Sequence, residues 1–410
     1  MFKSFAFKIY VVALILRLIP VIAARSLGIG LDDMFQYDML ARSLAQGHGF
    51  RWYVESDLNQ LASFVDFDLS TAREYDPSLG VATSFRAPLY PAFLAIVYFF
   101  NGIDFSRFFA ARLAQAIFLG APLAPLTYLV AQRLFTFNFP APIKIESGKL
   151  IERTARLSAW VIAAYPLLLV YPLGLGTENP FFVLLLASFL FFLSSIERPS
   201  TSHFLLSGIF LALTALTRSV ILAFALAAFC LLFYLRGKRA IASILAFVLV
   251  VAPWTIRNSL LHGELTGIET SMGYNLYLGY HPEGNGSFFF GPSLDLLPIL
   301  DDAERDKIGT EKAIEFIKAQ PERFVPLAIN RLGFFFGLEK RVLMYFYGND
   351  LLGFIPLPLL LTISAILLLP FVIISISAAL GLSLLRWNPQ TCLLALLLIC
   401  YAIPHVFILA

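Results

Sequence analysis

The sequence predicts an all-α membrane protein with a bundle of about nine transmembrane helices and shorter helices along its outer face. Composition is the first reason: 59% of the 410 residues are hydrophobic, only 14% are charged, and the mean hydropathy is +0.79. Soluble domains carry about 25% charged residues, so much of this surface faces hydrocarbon and a soluble protein is excluded. The placement of the basic residues is the second reason. A net charge of +3 does not favour nucleic acid as a partner.

The predicted spans are apolar runs near the length of about 20 residues that a helix needs to cross a bilayer. They cover 5–25, 107–135, 157–174, 180–196, 204–218, 219–235, 240–254, 353–385 and 390–408. The first run follows Lys3 and could be a signal peptide. Arg17 interrupts it and no small-x-small cleavage site follows, so we expect a retained helix with a cytoplasmic N-terminus.

Basic residues set the predicted orientation. Segment 88–101 is short and has Pro88 and Pro91 in its first turn, so we expect it to lie at the interface rather than to cross. The basic loop 133–156 then lies in the cytoplasm, as the positive-inside rule prefers. The basic residues of 236–239 and Arg386 fall on the same side.

Three parts follow from this topology. A transmembrane module, 1–254, carries the acidic outer loop 27–106 and a short outer turn at 174–179. A second outer loop, 255–350, contains helical stretches near 300–319 and 322–345, of which the latter is amphipathic and suited to lie on the membrane. Helices of 351–410 complete the chain. We expect a multi-pass protein of the cytoplasmic membrane with its polar chemistry on the outer side.

No cofactor is assigned by a recognisable motif. The three cysteines lie singly in apolar runs and the histidines lack the HExxH spacing of zinc enzymes. Asp66-Phe67-Asp68 matches the D-x-D with which nucleotide-sugar enzymes hold a divalent metal, although so short a pattern arises by chance in an acid-rich loop. A divalent metal therefore stays an open alternative.

Charged residues at the outer ends of the predicted spans are the candidates for chemistry. Asp32 and Asp33 follow the first span, where a carboxylate can have raised basicity; either could instead cap a helix. Arg86 precedes the Pro88 segment, where it can bind a phosphate with its fork of donors or extend to lipid headgroups.

Further charges stand at the same predicted boundary. Glu178 lies in the short turn between two spans, and Arg218 interrupts an apolar stretch. Ionisable groups so close to hydrocarbon are costly and mark functional sites by default. Arg257 follows Trp254, which is suited to anchor at the interface. We expect these three residues to converge with Asp33 and Arg86 on one face.

These residues and their order resemble the membrane-embedded GT-C-type glycosyltransferases, in particular the bacterial branch similar to protein O-mannosyltransferases and aminoarabinose transferases. The resemblance covers nearly the whole chain. It rests on Asp33 four positions before Tyr37, Leu40-Ala41-Arg42-Ser43-Leu44, Gly47-His48-Gly49, Arg86 with Pro88-Leu89-Tyr90-Pro91, Thr177-Glu178, Leu216-Thr217-Arg218, Pro253-Trp254, Arg257-Asn258 and Asn275-Leu276-Tyr277-Leu278-Gly279.

The resemblance implies a polyprenyl-phosphate sugar as donor, a glycan, lipid or protein as acceptor, and membrane lipids around the protein. By position, Asp33 is the catalytic base, and Glu178 is a second catalytic carboxylate that orients hydroxyl groups or binds a metal if one is needed. Substrate binding falls by the same resemblance to Asp32, Tyr37, Arg86, Tyr90, Arg218, Arg257, Asn258, Asn275 and Tyr277.

Two departures from the family pattern are visible. Many relatives have a second acid after the first, whereas here Met34 follows Asp33 and the extra acid, Asp32, precedes it, which leaves the division of roles between the acids open. Relatives also continue beyond the apolar run in which this chain ends, so we expect either a short member or a truncated one.

Two other functions are compatible with the same residues. A transporter or flippase for a lipid-linked sugar would use the arginines for binding without turnover, and it should carry ionisable residues along a path at mid-bilayer. Here the charges lie at the outer boundary, apart from Arg17, and no internal repeat of the transporter kind is visible, which favours an enzyme. The third possibility is an inactive structural subunit of a membrane complex.

Overall fold

A computed structural model describes residues 2–138, 144–337, 347 and 353–409. Helix accounts for 74% of the chain, and the nearly all-helical class is confirmed. The helices in chain order are α1 (Phe2–Ala23), α2 (Asp33–Ala45), α3 (Glu55–Leu61), α4 (Leu89–Asn101), α5 (Arg107–Ala114), α6 (Leu123–Asn138), α7 (Lys144–Ala164), α8 (Pro166–Val170), α9 (Glu178–Glu197), α10 (Thr201–Ala215), α11 (Leu222–Arg236), α12 (Ile241–His262), α13 (Met272–Tyr280), α14 (Phe290–Ser293), α15 (Asp302–Ala319), α16 (Phe324–Phe335), α17 (Leu357–Leu384) and α18 (Pro389–Phe407).

The prediction of an all-α chain misses one small sheet between α2 and α4. Its strands are β1 (Arg51–Trp52), β2 (Tyr75–Asp76) and β3 (Gly80–Ala82), in the antiparallel order β1-β3-β2. Strands of two or three residues show too little alternation for a period-2 pattern to be recognised. Gly80 is required at its position, because it has a positive φ and its backbone lies against the carbonyl of Trp52.

Six helical stretches in the described part are long and apolar enough to cross a membrane. They are Phe5–Ala23, Arg107–Thr136, Glu178–Glu197, Ser219–His262, Leu357–Leu384 and Pro389–Phe407. A seventh is formed if Gly148–Ala164 and Pro166–Leu173, which meet at 51°, count as one span. Ser219–His262 contains both α11 and α12, and α10 has only 15 residues. These features explain why the count lies below the nine apolar runs of the sequence.

The segments between the spans also differ from the prediction. The expected loop 133–156 is largely helical, because α6 reaches Asn138 and α7 begins at Lys144. In the predicted helical stretch 322–345, α16 ends at Phe335, and most of the remainder lies outside the described residues. The stretch near 300–319 is α15, whose first turn is capped by Asp301 through Ala303 N at 3.0 Å and Glu304 N at 3.3 Å.

Arg17 has a structural explanation in the bend between α7 and α8. Its side chain is 0% exposed, and its guanidinium donates to the carbonyls of Ala13 at 3.1 Å, Ala163 at 3.3 Å and Ile162 at 3.1 Å. Pro166 has no N–H with which to continue the helix, so carbonyls at the end of α7 need another donor. Gly120 makes room for this arginine, since a Cβ there would lie 2.8 Å from its Cδ.

Two helix contacts, α2 with α4 and α9 with α10, determine where the candidate residues lie. α2 packs against α4 through Met34, Tyr37 and Ala41 on one helix and Tyr90 and Leu94 on the other. α9 and α10 pack along each other and place the turns before α9 and after α10 at the same end. These contacts bring residues from 33–37, 86, 178 and 218 together.

Candidate functional site

Two ion pairs form the centre of the candidate site. Arg86 Nη2 contacts Asp33 Oδ1, and Arg218 Nη1 lies 2.5 Å from Glu178 Oε1. Tyr37 lies within electrostatic reach of all four charges. Burial in the packed α2–α4 interface raises the pKa of Tyr37 to about 12, so its hydroxyl is neutral at ordinary pH and available as a donor.

Asp33 is positioned by the start of α2. Asp32 is the N-cap residue, and its side chain accepts from Met34 N at 2.9 Å. The capping alternative therefore describes Asp32 in this structure. Asp33 occupies the first helical turn with Tyr37 one turn later on the same face. The Asp33 side chain is 65% exposed, which leaves its carboxylate open to a substrate.

Arg86 is held from several sides. Its Nε donates to Gln36 Oε1 at 2.8 Å, and its guanidinium lies 5.4 Å from the ring centre of Tyr37. Only 19% of the side chain is exposed. Burial opposes ionisation, but the Asp33 carboxylate prevails and raises the pKa of Arg86 above its ordinary value. The side chain is thus a permanent, oriented cation beside an accessible carboxylate.

The turn that carries Arg86 is tied by hydrogen bonds to the ends of α12 and α15. Thr83 Oγ1 and Ser84 N both donate to Asp302 Oδ2, at 2.5 and 2.8 Å, and Asp302 pairs with buried Arg305. Ser84 Oγ lies 2.6 Å from His262 Nε2. These hydrogen bonds join the turn to residues that lie 178 to 219 positions away along the chain. The position of Arg86 therefore depends on the start of α15 and the end of α12.

This network contains a Ser-His-Asp arrangement, which is not a nucleophilic site. His262 Nδ1 lies 3.6 Å from Asp301 Oδ1 and its Nε2 faces Ser84. Ser84 is 0% exposed, so its hydroxyl cannot reach a substrate carbonyl. The three residues support the Arg86 turn instead.

Glu178 and Arg218 come from the ends of neighbouring helices. Glu178 is the first residue of α9. Gly176 leaves space for its carboxylate in this position, because a Cβ on residue 176 would lie 2.6 Å from Glu178 Oε2 and would make that side chain shift. Asn179 donates to the Gly174 carbonyl at 3.1 Å. Burial opposes ionisation of Arg218, whereas Glu178 raises the pKa of that guanidinium above its ordinary value.

Tyr90 supports the turn before α9 through a chain of hydrogen bonds. Its hydroxyl donates to Gln115 Oε1 at 2.6 Å, and Gln115 in turn donates to the carbonyl of Pro172 at 2.9 Å. Asn179 donates to the same Gln115 oxygen at 3.2 Å. The structure therefore uses the Tyr90 hydroxyl to hold the backbone before Glu178.

Arg257 and Asn258 lie beside the Arg86 turn and outside both ion pairs. Arg257 Nη1 donates to the Thr83 carbonyl at 2.6 Å, and its guanidinium lies 4.9 Å from the Trp254 ring centre. Asn258 is buried and donates to the carbonyls of Gly267 and Ile268, at 2.9 and 3.1 Å. Both residues anchor backbone in this structure.

Asn275 and Tyr277 lie on α13 and form no hydrogen bond with either ion pair among the described residues. The Tyr277 hydroxyl donates to Asp295 Oδ2 at 2.6 Å, and its ring packs on His281 and Phe316. Asn275 is half-buried, and its side chain makes no hydrogen bond within the part of the chain that the structure describes.

Three residues near the site had no recognised signal in the sequence. Gln36 holds Arg86, as described above. Tyr274 acts electrostatically on the Asp33–Arg86 pair, and burial raises its pKa to about 12. Glu269 lies within electrostatic reach of Arg86 and accepts from Ser219 N at 3.2 Å. A single glutamate between α12 and α13 has no sequence spacing that would distinguish it.

The described residues offer no cluster of three or more His, Cys, Asp or Glu side chains that could hold a metal ion. In the D-x-D triplet, Asp68 instead caps a turn and accepts from Ser70 N at 3.0 Å.

Comparisons with known proteins give no family assignment: no family model, no curated protein and no solved structure matches this chain.

Proposed function

We propose that this protein is a GT-C-type inverting glycosyltransferase that moves a sugar from a polyprenyl phosphate to a hydroxyl acceptor at the outer face of the cytoplasmic membrane. One observation carries the proposal. An exposed carboxylate, Asp33, contacts a largely buried arginine, Arg86, beside a second pair, Glu178 and Arg218, at the ends of apolar helices. A base next to oriented cations is what transfer from a phosphate leaving group requires.

The proposed transfer is a single displacement in which Asp33 accepts the proton. The acceptor hydroxyl oxygen forms a bond to the anomeric carbon while the bond from that carbon to the phosphate oxygen breaks. The hydroxyl proton passes to Asp33, and the phosphate leaves with the electron pair. A phosphate monoester has a second pKa of about 6, so it departs without a general acid. One carboxylate base therefore suffices, and inversion follows from the single displacement.

The two arginines and the tyrosine have matching roles in the proposal. Arg86 and Arg218 neutralise the charge that develops on the phosphate, and the neutral Tyr37 hydroxyl donates to a donor oxygen. Glu178 keeps Arg218 in place and orients substrate hydroxyl groups. About nine spans result if the bent pair α7–α8 counts as one span, α10 counts as a span, and α11 and α12 count as two. In the proposal, the four charged residues then lie on the outer side.

The carrier alternative needs a polar route through the spans. The buried arginines Arg17 and Arg112 of the described spans already donate hydrogen bonds to backbone carbonyls. Arg17 donates to three carbonyls at the bend between α7 and α8. Arg112 donates to the carbonyls of Leu27, Gly28 and Leu173. Arginines committed to backbone oxygens do not line a route for a phosphate. This observation favours the transferase over the flippase.

Sugar transfer by the purified full-length chain in lipid nanodiscs tests the proposal. Radiolabelled hexose and pentose on polyprenyl phosphate are supplied with membrane lipid, glycan and peptide acceptors, and water-soluble and lipid products are separated. Release of polyprenyl phosphate coupled to labelling of one acceptor is expected. If every donor binds and none turns over, the enzyme assignment fails.

A further inference from the structure

A cleft of about 230 Å³ opens beside the second half of α2. The cleft is lined by Arg42 of that helix and by Gln46, which caps the end of the helix, together with residues of β1 and the start of α3. The 3.6-residue period places these two residues on the opposite side of α2 from Asp33 and Tyr37. The cleft is therefore distinct from the candidate transfer site.

Buried charges form one wall of the cleft. Asp57 is only 2% exposed and accepts from Arg42 Nη2 at 2.7 Å, while Arg42 Nε donates to Asp38 at 2.8 Å. Arg107 contacts the same Asp38 at 2.7 Å. Desolvation offsets most of the attraction in buried ion pairs, so stability alone does not explain a network of this kind. The network does hold the Arg42 guanidinium in one orientation at the cleft.

Several donors at the cleft remain available. Arg42 Nη1 and Arg51 Nη2 make no hydrogen bond to any residue that the structure describes, and the same is true of the side chains of Gln46, His48 and Ser56. Two guanidinium groups with free N–H favour an anionic acceptor. The amide, imidazole and hydroxyl next to them can each donate to or accept from a hydroxyl group.

The ligand that matches this lining is small, rich in hydroxyl groups and anionic. The cleft volume lies below the roughly 300–1,000 Å³ of pockets for drug-sized molecules, which suits one sugar ring. We propose that the cleft binds a sugar ring that carries an anionic group, at a site separate from Asp33. In a transferase this site would hold an acceptor glycan away from the reacting hydroxyl, but binding here does not depend on transfer.

Calorimetry on the full-length chain in detergent tests the proposal, with glucuronic acid as the probe and glucose as its uncharged counterpart. Saturable binding of glucuronate is expected, with glucose at least about tenfold weaker, because a charge-assisted hydrogen bond is lost. Arg51→Gln and His48→Gln should each weaken glucuronate binding by about tenfold. Arg25→Gln, which removes an exposed arginine elsewhere on the outer side, should leave it unchanged.

Ser56→Phe puts an aromatic ring into the cleft while keeping every residue of its ion pairs, and should abolish binding. Unchanged glucuronate affinity in Ser56→Phe and Arg51→Gln would place any binding elsewhere and overturn the proposal, as would the absence of saturable binding in the millimolar range. Equal affinity for glucose and glucuronate would overturn the proposal that the cleft recognises an anionic group. Asp33→Asn should bind glucuronate like the wild type, so failure of transfer and failure of this site are distinguishable.

Discussion

Arg86 donates to the carboxylate of Asp33 although 53 positions separate the two residues along the chain. The contact joins the first turn of α2 to the turn before α4. Gln36 holds the Nε edge of the same guanidinium at 2.8 Å. In the proposed reaction, a donor phosphate competes with Asp33 for Arg86. Donor binding therefore releases the base toward the acceptor hydroxyl.

Arg86→Lys should raise the donor KM by about 10- to 100-fold, because an ammonium group cannot contact Gln36 and a phosphate with the fixed fork of a guanidinium. Steady-state transfer at varied donor concentration gives kcat and KM separately. Arg25→Lys, at an exposed position, is the matched control. An unchanged donor KM in Arg86→Lys would argue against a phosphate at this arginine.

Asp302→Ala should lower the free energy of unfolding by about 3–5 kcal/mol, because buried Arg305 loses its partner. Thr83 and Ser84 lose their acceptor in the same variant. Denaturant titration of the detergent-solubilised protein measures the change. The exposed Glu304 on the same helix is the control, and Glu304→Ala should stay within about 0.5 kcal/mol.

The milder Ser84→Ala tests whether the same network positions Arg86. It removes the contacts of Ser84 Oγ with His262 and Thr270. We expect a higher donor KM with little change in the acceptor KM. Equal changes in both constants, or none, would show that the network serves stability alone.

Tyr37→Phe should reduce the alkaline loss of stability. The pKa of Tyr37 is raised from 10.0 to about 12 by burial, so its contribution to stability is complete below pH 10 and is lost as the pH rises toward about 12. The unfolding free energy of the wild type should therefore fall more steeply over this interval than that of Tyr37→Phe. Parallel curves would mean that Tyr37 does not titrate as a buried phenol.

Arg17→Gln should destabilise the fold and spare the site. The variant leaves carbonyls of Ala163 and Ile162 without their donor inside an apolar bundle, at a cost of roughly 1–3 kcal/mol each. Thermal unfolding in detergent should show a lower Tm, while the donor KM of the folded fraction stays unchanged. A large change in donor KM at normal stability would favour the carrier alternative.

The sequence predicted the parts of this molecule that depend on long apolar runs and on charges at their ends. Asp33, Arg86, Glu178 and Arg218 come together because the helices that carry them end at one side. The bend at Pro166 was missed because the apolar pattern continues through it. A hydropathy pattern does not show which backbone carbonyls lack a hydrogen-bond donor.

The hydrogen-bond partners of the charged side chains were harder to predict than the positions of these residues at the ends of the apolar runs. The sequence places Arg257 at the same boundary as Arg86, but only the fold shows that its guanidinium is committed to the carbonyl of Thr83. Glu269 reaches Arg86 from a distant loop, which no local spacing reveals. Long-range polar contacts depend on tertiary packing and not on sequence period.

Asp33 is the proposed base of the transfer reaction. Transfer of radiolabelled sugar and binding of the same polyprenyl-phosphate donor should be measured side by side for the wild type, Asp33→Asn and the exposed control Asp104→Asn. We expect Asp33→Asn to bind donor and to lose about 10²–10⁴-fold in kcat, with Asp104→Asn unaffected. An Asp33→Asn variant that folds, binds donor and transfers sugar at the wild-type rate would contradict the claim.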